Sequence, residues 1–228
     1  MEQERISAYL CALEPEQEPL LRKLRAYAKE NDVPILRPET ESFLKTLVAA
    51  KQPRYILEIG TAIGYSGIVM ARANPAARLL TIESYEKRIP LAEENFKRAG
   101  EALFSRVELV HDDAGNVLRQ LVKEGKQFDF IFLDAAKGQY ANWLPDIIQL
   151  LPGGGMLIAD NVLQDNTVME SRFTVARRDR TTHERMRAFL YEIKHDKRLV
   201  SCVLPLGDGV SLSVRLLDET SAETGRVH

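Results

Sequence analysis

The chain has 228 residues, of which 45% are hydrophobic and 28% are charged, as in an ordinary globular protein. Lys and Arg number 31 and Asp and Glu number 33, so the net charge of −2 excludes a uniformly basic nucleic-acid coat and leaves room only for a local basic face. The sequence shows no signal peptide, no apolar run of the roughly 20 residues that a membrane helix needs, and no cysteine spacing typical of disulfide frameworks or zinc sites, so we expect a cytoplasmic protein with no membrane partner.

Residues 1–50 are predicted to be helical. Hydrophobic residues recur at helical spacing in residues 20–27 and again in residues 43–48. Between them lies a loop, residues 33–38, marked by two prolines. We therefore expect amphipathic N-terminal helices ahead of the main sheet.

Seven short apolar runs predict β-strands. They are residues 55–59, 79–83, 107–110, 128–134, 155–160, 199–204 and 210–217. The first five alternate with helical segments, which predicts a parallel sheet covered by helices on both faces. The last two flank an Asp-Gly turn, so the last strand is predicted to be antiparallel. The prediction is an α/β fold with one domain over residues 1–218 and a disordered tail over residues 219–228.

A glycine turn follows the first predicted strand, in the run Glu58-Ile59-Gly60-Thr61-Ala62-Ile63-Gly64-Tyr65-Ser66. Glycines allow a ligand to approach the backbone closely, and the start of the next helix offers free N–H groups. The Gly-x-x-x-Gly spacing differs from the Gly-x-Gly-x-x-Gly fingerprint of dinucleotide-binding proteins. The turn therefore favours a nucleoside with an amino-acid tail over a pyrophosphate.

Acidic residues follow the second and third predicted strands. Glu83 lies about 20 residues beyond the glycine turn, where a carboxylate commonly accepts hydrogen bonds from ribose hydroxyls. A surface carboxylate ahead of the next helix is the alternative. Asp113-Ala114 is placed to contact an adenine edge, and Asp113 equally suits the N-cap of the following helix.

The fourth and fifth predicted strands end in Asp134 and in Asp160-Asn161, and Lys137 follows nearby. Carboxyl ends of parallel strands meet at one edge of a sheet, so these side chains are expected to converge. Two carboxylates and an amide oxygen suit Mg²⁺, and Mn²⁺ or Ca²⁺ accept the same ligands. The alternative is that both aspartates only cap loops.

A lid-like segment over residues 161–185 leads into an arginine-rich stretch. Its arginines are Arg172, Arg177, Arg178, Arg180, Arg185 and Arg187. Because the segment follows the predicted metal strand directly, it is placed to lie at the mouth of the site and to bind phosphates. A solvated helix face with a flexible loop is the alternative.

Residues 34–209 resemble the cation-dependent O-methyltransferases, the catechol and caffeoyl-CoA group that uses S-adenosylmethionine. The most specific similarities lie in residues 57–66, 134–137 and 160–161. The resemblance implies a class I methyltransferase fold, with a doubly wound seven-stranded sheet whose last strand is antiparallel, and a homodimer.

The same resemblance assigns roles to individual residues. It implies a donor-binding set of Glu58, Gly60, Thr61, Ala62, Gly64, Tyr65, Ser66, Glu83, Asp113, Ala114 and Asp134. It implies Asp134, Asp160 and Asn161 as metal ligands and Lys137 as the catalytic base.

Residues 134–140, 160–163 and 205–209 are similar to the bacterial tRNA 5-hydroxyuridine methyltransferases. This similarity implies methylation of 5-hydroxyuridine at the tRNA wobble position to 5-methoxyuridine. The anticodon loop would then contact Arg172, Arg177, Arg178 and Arg180. The alternative acceptor is a small catechol-like or caffeoyl-CoA-like hydroxyl. A nicotinamide-dependent oxidoreductase fits the glycine spacing poorly, and a non-catalytic scaffold leaves the clustered carboxylates unexplained.

Overall fold

The computed structural model describes residues 2–164 and 167–217, apart from the side chains of residues 2–4. Its helices are α1 Glu2–Leu13, α2 Pro19–Glu30, α3 Pro38–Lys51, α4 Tyr65–Ala73, α5 Ile89–Arg98, α6 Glu101–Phe104, α7 Ala114–Lys123, α8 Tyr140–Leu150 and α9 Arg180–His195. Its strands are β1 Tyr55–Ile59, β2 Arg78–Glu83, β3 Val107–His111, β4 Phe130–Leu133, β5 Met156–Ala159, β6 Leu199–Leu204 and β7 Val210–Arg215. Two short 3₁₀ turns cover Lys137–Gln139 and Thr167–Met169.

The strands form one seven-stranded sheet in the order β3-β2-β1-β4-β5-β7-β6. Strands β1 to β5 pair in parallel, and β7 is antiparallel to both of its neighbours, β5 and β6. The predicted mostly parallel sheet with an antiparallel last strand is confirmed. The predicted tail, residues 219–228, lies outside the described residues.

Alternating side chains of the central strands bury into two separate apolar layers. Leu57 and Leu133 face the layer that includes α7, α8 and α9, whereas Ile56 and Phe132 face the layer that includes α2, α3 and α4. Burial on both faces explains why these strands are continuous apolar runs. The sheet is therefore doubly wound, and its free carboxyl edge remains for a site.

Strand β4 is shorter than the predicted run of residues 128–134. The carboxylate of Asp129 accepts hydrogen bonds from the backbone N–H groups of Arg54 and Tyr55, at 2.8 and 3.0 Å, and the N–H of Phe128 donates to the carbonyl of Leu150. These contacts lie outside the strand ladder, which begins at Phe130. No helix in residues 2–164 or 167–217 combines the length and apolarity needed to cross a bilayer.

Candidate active site

A cavity of about 750 Å³ opens at the carboxyl edge of the sheet. The strand register explains which residues reach it. Ile59 pairs with Leu133 and Leu133 with Ala159, so the next residues in the chain, Gly60, Asp134 and Asp160, leave the sheet side by side. Twelve of the fourteen predicted donor, metal and base residues line this cavity: Gly60, Thr61, Ala62, Tyr65, Ser66, Glu83, Asp113, Ala114, Asp134, Lys137, Asp160 and Asn161.

Gly60 allows the two central strand ends to approach closely. Its φ is +105°, and a Cβ built on it would lie 2.0 Å from the carbonyl oxygen of Asp134. Any other residue would collide with the backbone there. The glycine therefore fixes the distance between the glycine turn and the Asp134 strand end.

Glu58 and Gly64 do not line the cavity. The Glu58 side chain is fully buried, and its carboxylate accepts hydrogen bonds from the hydroxyls of Ser66 and Thr81. Burial raises its pKa to about 7, against the opposing effect of those two hydrogen bonds. Whereas the resemblance placed Glu58 among the donor contacts, the structure places it beneath the glycine turn, tying the turn to β2.

Glu83 holds the glycine turn from the other side. Its Oε2 accepts a hydrogen bond from Ala62 N–H at 2.8 Å, and its Oε1 accepts from Ser84 and Tyr85 N–H at 2.9 Å each. The carboxylate still faces the cavity. The position is compatible with ribose binding, which remains a prediction.

Asp113 is the N-cap of α7, since its side chain accepts a hydrogen bond from Asn116 N–H. It also lines the cavity, and its contact with an adenine edge stays a prediction. Trp143 is buried in the apolar layer beside α7 and also lines the cavity.

Tyr65 belongs to a polar network that sequence analysis did not anticipate. Its hydroxyl donates to Glu41 Oε2 at 2.6 Å and accepts from Arg25 Nη2 at 2.8 Å, while the Arg25 guanidinium lies 5.0 Å from the ring centroid. Arg25 also pairs with Glu41 at 2.7 Å and donates to the carbonyl of Leu36. The network joins the N-terminal helices to the glycine turn, so this ring is not free to stack on a nucleobase.

Lys137 lies at the centre of the oxygen-rich end of the cavity. Its Nζ lies 2.7 Å from Asp134 Oδ1, 2.9 Å from Asn161 Oδ1 and 3.2 Å from the carbonyl oxygen of Asp160. The buried hydroxyl of Tyr140 lies 2.9 Å from the same nitrogen. The predicted convergence of strand ends is therefore present.

The charges in this cluster shift the pKa values of its members. Burial raises the pKa of Asp160 to about 7, and the neighbouring Asp134 charge adds to the increase. Burial alone would lower the pKa of Lys137, but the oxygens of Tyr140 and Asp134 outweigh it and hold that pKa above its usual range. Among the described residues, the surroundings of Lys137 therefore favour its charged form.

The donor set fits a hard divalent cation. Asp134, Asp160 and Asn161 supply oxygens only, and the Lys137 ammonium already lies among oxygens at contact distance. In residues 2–164 and 167–217, no three His, Cys, Asp or Glu side chains form a metal-binding group. If these residues hold a cation, the amide oxygen of Asn161 would be the third side-chain ligand, and such an all-oxygen set is unsuited to zinc.

Asp208 and Arg37 are two cavity residues that the predictions did not include among site residues. Arg37 Nη2 lies 2.6 Å from Asp208 Oδ1, and Asn161 Nδ2 donates to Asp208 Oδ2 at 3.2 Å. The Pro-flanked position of Arg37 and the hairpin position of Asp208 were visible in the sequence, but only the fold brings the two loops together.

The predicted arginine segment is only partly free to bind a ligand. Three of its side chains donate to backbone carbonyls: Arg180 to Val175, Arg185 to Gly138 and Arg187 to Val168. Arg172, Arg177 and Arg178 are exposed, although Arg172 pairs with Glu184 at 2.8 Å and Arg178 with Asp179 at 3.4 Å.

This segment contacts the loop that contains Lys137, because Arg185 donates a hydrogen bond to the carbonyl of Gly138, the residue after Lys137. Nearby His183 of α9 is buried, and its Nε2 lies 3.2 Å from the carbonyl oxygen of Glu170.

Comparisons with known proteins agree with this geometry. A catechol O-methyltransferase of Niastella koreensis is 40% identical over 139 residues, 60% of this chain and 62% of that protein. Caffeoyl-CoA O-methyltransferase 1 of Eucalyptus globulus is 31% identical over 214 residues, 89% of this chain and 83% of that protein.

Solved structures of similar proteins have the same fold. An O-methyltransferase from Bacillus cereus in complex with SAH superposes with a TM-score of 0.81 at 28% identity, covering 92% of this chain and 97% of that one. TomG from Streptomyces achromogenes in complex with SAM gives a TM-score of 0.81 at 27% identity, covering 95% and 99%. The class I methyltransferase fold is confirmed. The model of the O-methyltransferase family matches residues 7–216, so this chain belongs to that family.

Proposed function

We propose that the chain transfers a methyl group from S-adenosylmethionine to a hydroxyl that has a second oxygen beside it, with help from a divalent cation. One observation carries this proposal. The same cavity is lined by the glycine turn, whose backbone a ligand can approach closely, and by Lys137 with the side-chain oxygens of Asp134, Asp160 and Asn161. The relatives of known activity are O-methyltransferases, and two similar structures contain SAH or SAM.

The donor would lie along the carboxyl ends of β1, β2 and β3. Thr61 and Ala62 would present backbone to the donor just ahead of α4, Glu83 would accept hydrogen bonds from the ribose, and Asp113-Ala114 would contact the adenine. All of these residues line the cavity. The acceptor would then bind at the end of the cavity that contains Lys137. This division separates donor binding from the chemistry of the acceptor hydroxyl.

Asp134, Asp160 and Asn161 would hold the cation. When bound, a divalent cation supplies positive charge that lowers the pKa of the acceptor hydroxyl and orients it. Lys137 can act as a base only in its neutral form. A cation held by Asp134, Asp160 and Asn161 would offset the negative charge that keeps Lys137 protonated, and the neutral amine would then accept the hydroxyl proton. The acceptor oxygen then forms a bond to the methyl carbon as the carbon–sulfur bond breaks, leaving S-adenosylhomocysteine. Holding both reactants in line supplies much of the acceleration.

Two acceptor classes carry the required pair of oxygens. The resemblance of residues 134–140 and 205–209 favours 5-hydroxyuridine in tRNA, whose 5-hydroxyl lies beside the 4-carbonyl oxygen. Arg172, Arg177 and Arg178 are exposed, and Arg185 of the same segment donates to the carbonyl of Gly138 beside Lys137; both observations support this acceptor. The names of the similar proteins favour the second class, a catechol or a caffeoyl-CoA-like phenol.

A methyl-transfer assay in parallel separates these acceptors. Purified protein, labelled S-adenosylmethionine and Mg²⁺ are incubated with tRNA that carries 5-hydroxyuridine, or with a simple catechol. Label in tRNA only supports the nucleoside acceptor, and label in the catechol only removes it. Transfer to neither acceptor, together with no binding of S-adenosylmethionine, would overturn the proposal.

A further inference from the structure

We infer that Asp208 is a positioning residue that fixes the orientation of the Asn161 amide and thereby aims its oxygen into the active site. The inference rests on the proposed function, because it concerns how one proposed cation ligand is held. The observation behind it is a continuous chain of contacts, Arg37 to Asp208 to Asn161 to Lys137, that runs along one side of the cavity.

The Asn161 amide lies between two groups of opposite hydrogen-bonding character. On one side the Lys137 ammonium, which only donates, lies 2.9 Å from Asn161 Oδ1. On the other side Asn161 Nδ2 donates at 3.2 Å to Asp208 Oδ2, a carboxylate oxygen that only accepts. A flipped amide would place its nitrogen against the ammonium and its oxygen against the carboxylate. Asp208 therefore favours the orientation in which the Asn161 amide oxygen points toward Lys137 and into the active site.

Asp208 is itself held in place by charge and by backbone. Its second oxygen, Oδ1, pairs with Arg37 Nη2 at 2.6 Å, and its backbone carbonyl accepts a hydrogen bond from Leu163 N–H at 2.9 Å. Gly207 and Gly209 on either side have φ values of +55° and +88°, and a Cβ at Gly209 would lie 2.3 Å from Leu163. The turn between β6 and β7 therefore packs closely against the loop after β5, and the Asp208 carboxylate reaches Asn161.

The arrangement also explains why an amide, rather than a third carboxylate, stands at position 161. An aspartate there would place its charge against the Asp208 carboxylate, in a site that already contains Asp134 and Asp160. The reverse pair, aspartate at 161 and asparagine at 208, keeps every hydrogen bond. Arg37 would donate to the new amide oxygen, the new amide nitrogen would donate to residue 161, and Lys137 would donate to the other oxygen of residue 161.

The first test measures binding of Mn²⁺ alone by titration calorimetry, with no donor or acceptor present. Asp208→Asn lets the Asn161 amide flip, and groups that orient metal ligands typically contribute 10- to 100-fold in affinity, so we expect Mn²⁺ binding to weaken by about 10-fold or more. Asp196→Asn is the matched control, since Asp196 also pairs with an arginine at 2.6 Å but lies in the turn before β6, away from the cavity. Its Mn²⁺ affinity should equal that of the unmodified protein.

The second test uses stability of the metal-free protein. Asn161→Asp should lower the melting temperature. Adding Asp208→Asn to this variant should raise the melting temperature most of the way back to that of the unmodified protein. Asp208→Asn binding Mn²⁺ as tightly as the unmodified protein, or the double variant melting no higher than Asn161→Asp alone, would overturn the inference. An unmodified protein that binds no Mn²⁺ would overturn the cation part of the proposed function as well, so the two failures are distinguishable.

Discussion

The ammonium of Lys137 and the carboxylate of Asp134 form an ion pair with a 2.7 Å separation at the end of the candidate active site. Both side chains are partly buried, and the second carboxylate, Asp160, is almost fully buried beside them. One lysine thus offsets two neighbouring carboxylates. A divalent cation would compete with Lys137 for the same oxygens. Substitution of each residue in the cluster therefore tests a separate role in cation binding or proton transfer.

Asp160→Asn should strongly lower the rate of methyl transfer and spare donor binding. The variant removes a proposed cation ligand, whereas the predicted donor residues follow other strands. We expect the rate to fall by about 100-fold or more at saturating Mg²⁺, with the Kd for S-adenosylhomocysteine changed by less than about threefold. Calorimetry and a methyl-transfer assay measure the two quantities. A decrease in S-adenosylhomocysteine affinity as complete as the decrease in activity would contradict separate roles.

Lys137→Met should lower kcat far more than it lowers binding. A general base typically contributes about 10²- to 10⁴-fold, so we expect a kcat decrease in that range with S-adenosylhomocysteine affinity retained. Single-turnover kinetics of the purified variant measure this directly. A variant with an unchanged kcat would remove Lys137 as the base.

Much of this arrangement was predictable from sequence. Strand β1 was predicted at its observed bounds, because a buried parallel strand is a mostly apolar run and this one is followed at once by a glycine. The convergence of Asp134 and Asp160 followed from parallel-strand geometry. The Arg25, Glu41 and Tyr65 network was not predictable, since its members come from three separate helices and no local pattern marks them.

Two other positions could not be predicted from the sequence for the same physical reason. Glu58 sits in the glycine motif, yet the alternation of a strand points its side chain into the layer beneath the cavity. Asp208 looked like a turn residue, and its contact with Asn161 is set by tertiary packing across 47 positions.

Arg25→Met should destabilise the protein, because it leaves the largely buried Glu41 carboxylate without its cation. We expect the free energy of unfolding to fall by about 1–3 kcal/mol. Arg22→Met is a control on the same helix, since Arg22 pairs with Glu16 at 2.6 Å but both side chains are exposed, 59% and 83%. That variant should change stability by less than about 0.5 kcal/mol. Equal effects in urea denaturation would contradict a structural role for the network.

Glu58 should make the metal-free protein less stable as pH rises. Burial raises its folded-state pKa from an ordinary value of 4.5 to about 7, so the folded state binds more protons than the unfolded state between these values. The free energy of unfolding therefore falls, by up to about 1.4 kcal/mol per pH unit, as pH rises from about 4.5 to 7. Asp160 acts in the same direction.

The free energy of unfolding at pH 5 and at pH 7.5, with EDTA present, measures this effect. Glu58→Gln keeps groups that can bond to Ser66 and Thr81 but does not titrate, so its pH dependence should be flatter. An identical slope in the variant would show that Glu58 does not carry the pH dependence.

The arginine segment separates the two acceptor classes. If tRNA is the acceptor, Arg177→Glu and Arg178→Glu should weaken tRNA methylation. Each variant should also reduce the slope of log affinity against log salt by about 1 for every phosphate that it no longer binds. Methylation of a catechol by the same variants should be unchanged. Salt-dependent binding by filter retention tests this, and an unchanged slope would exclude a phosphate-binding role for these two arginines.

Cation-assisted methyl transfer from S-adenosylmethionine to a hydroxyl with a neighbouring oxygen is tested most directly by following the methyl group itself. Labelled methyl is transferred from S-adenosylmethionine, with and without EDTA, to 5-hydroxyuridine tRNA and to a catechol. We expect label in at least one acceptor, abolished on adding EDTA and regained on adding excess Mg²⁺. Transfer that continues at full rate in EDTA would contradict the role assigned to Asp134, Asp160 and Asn161.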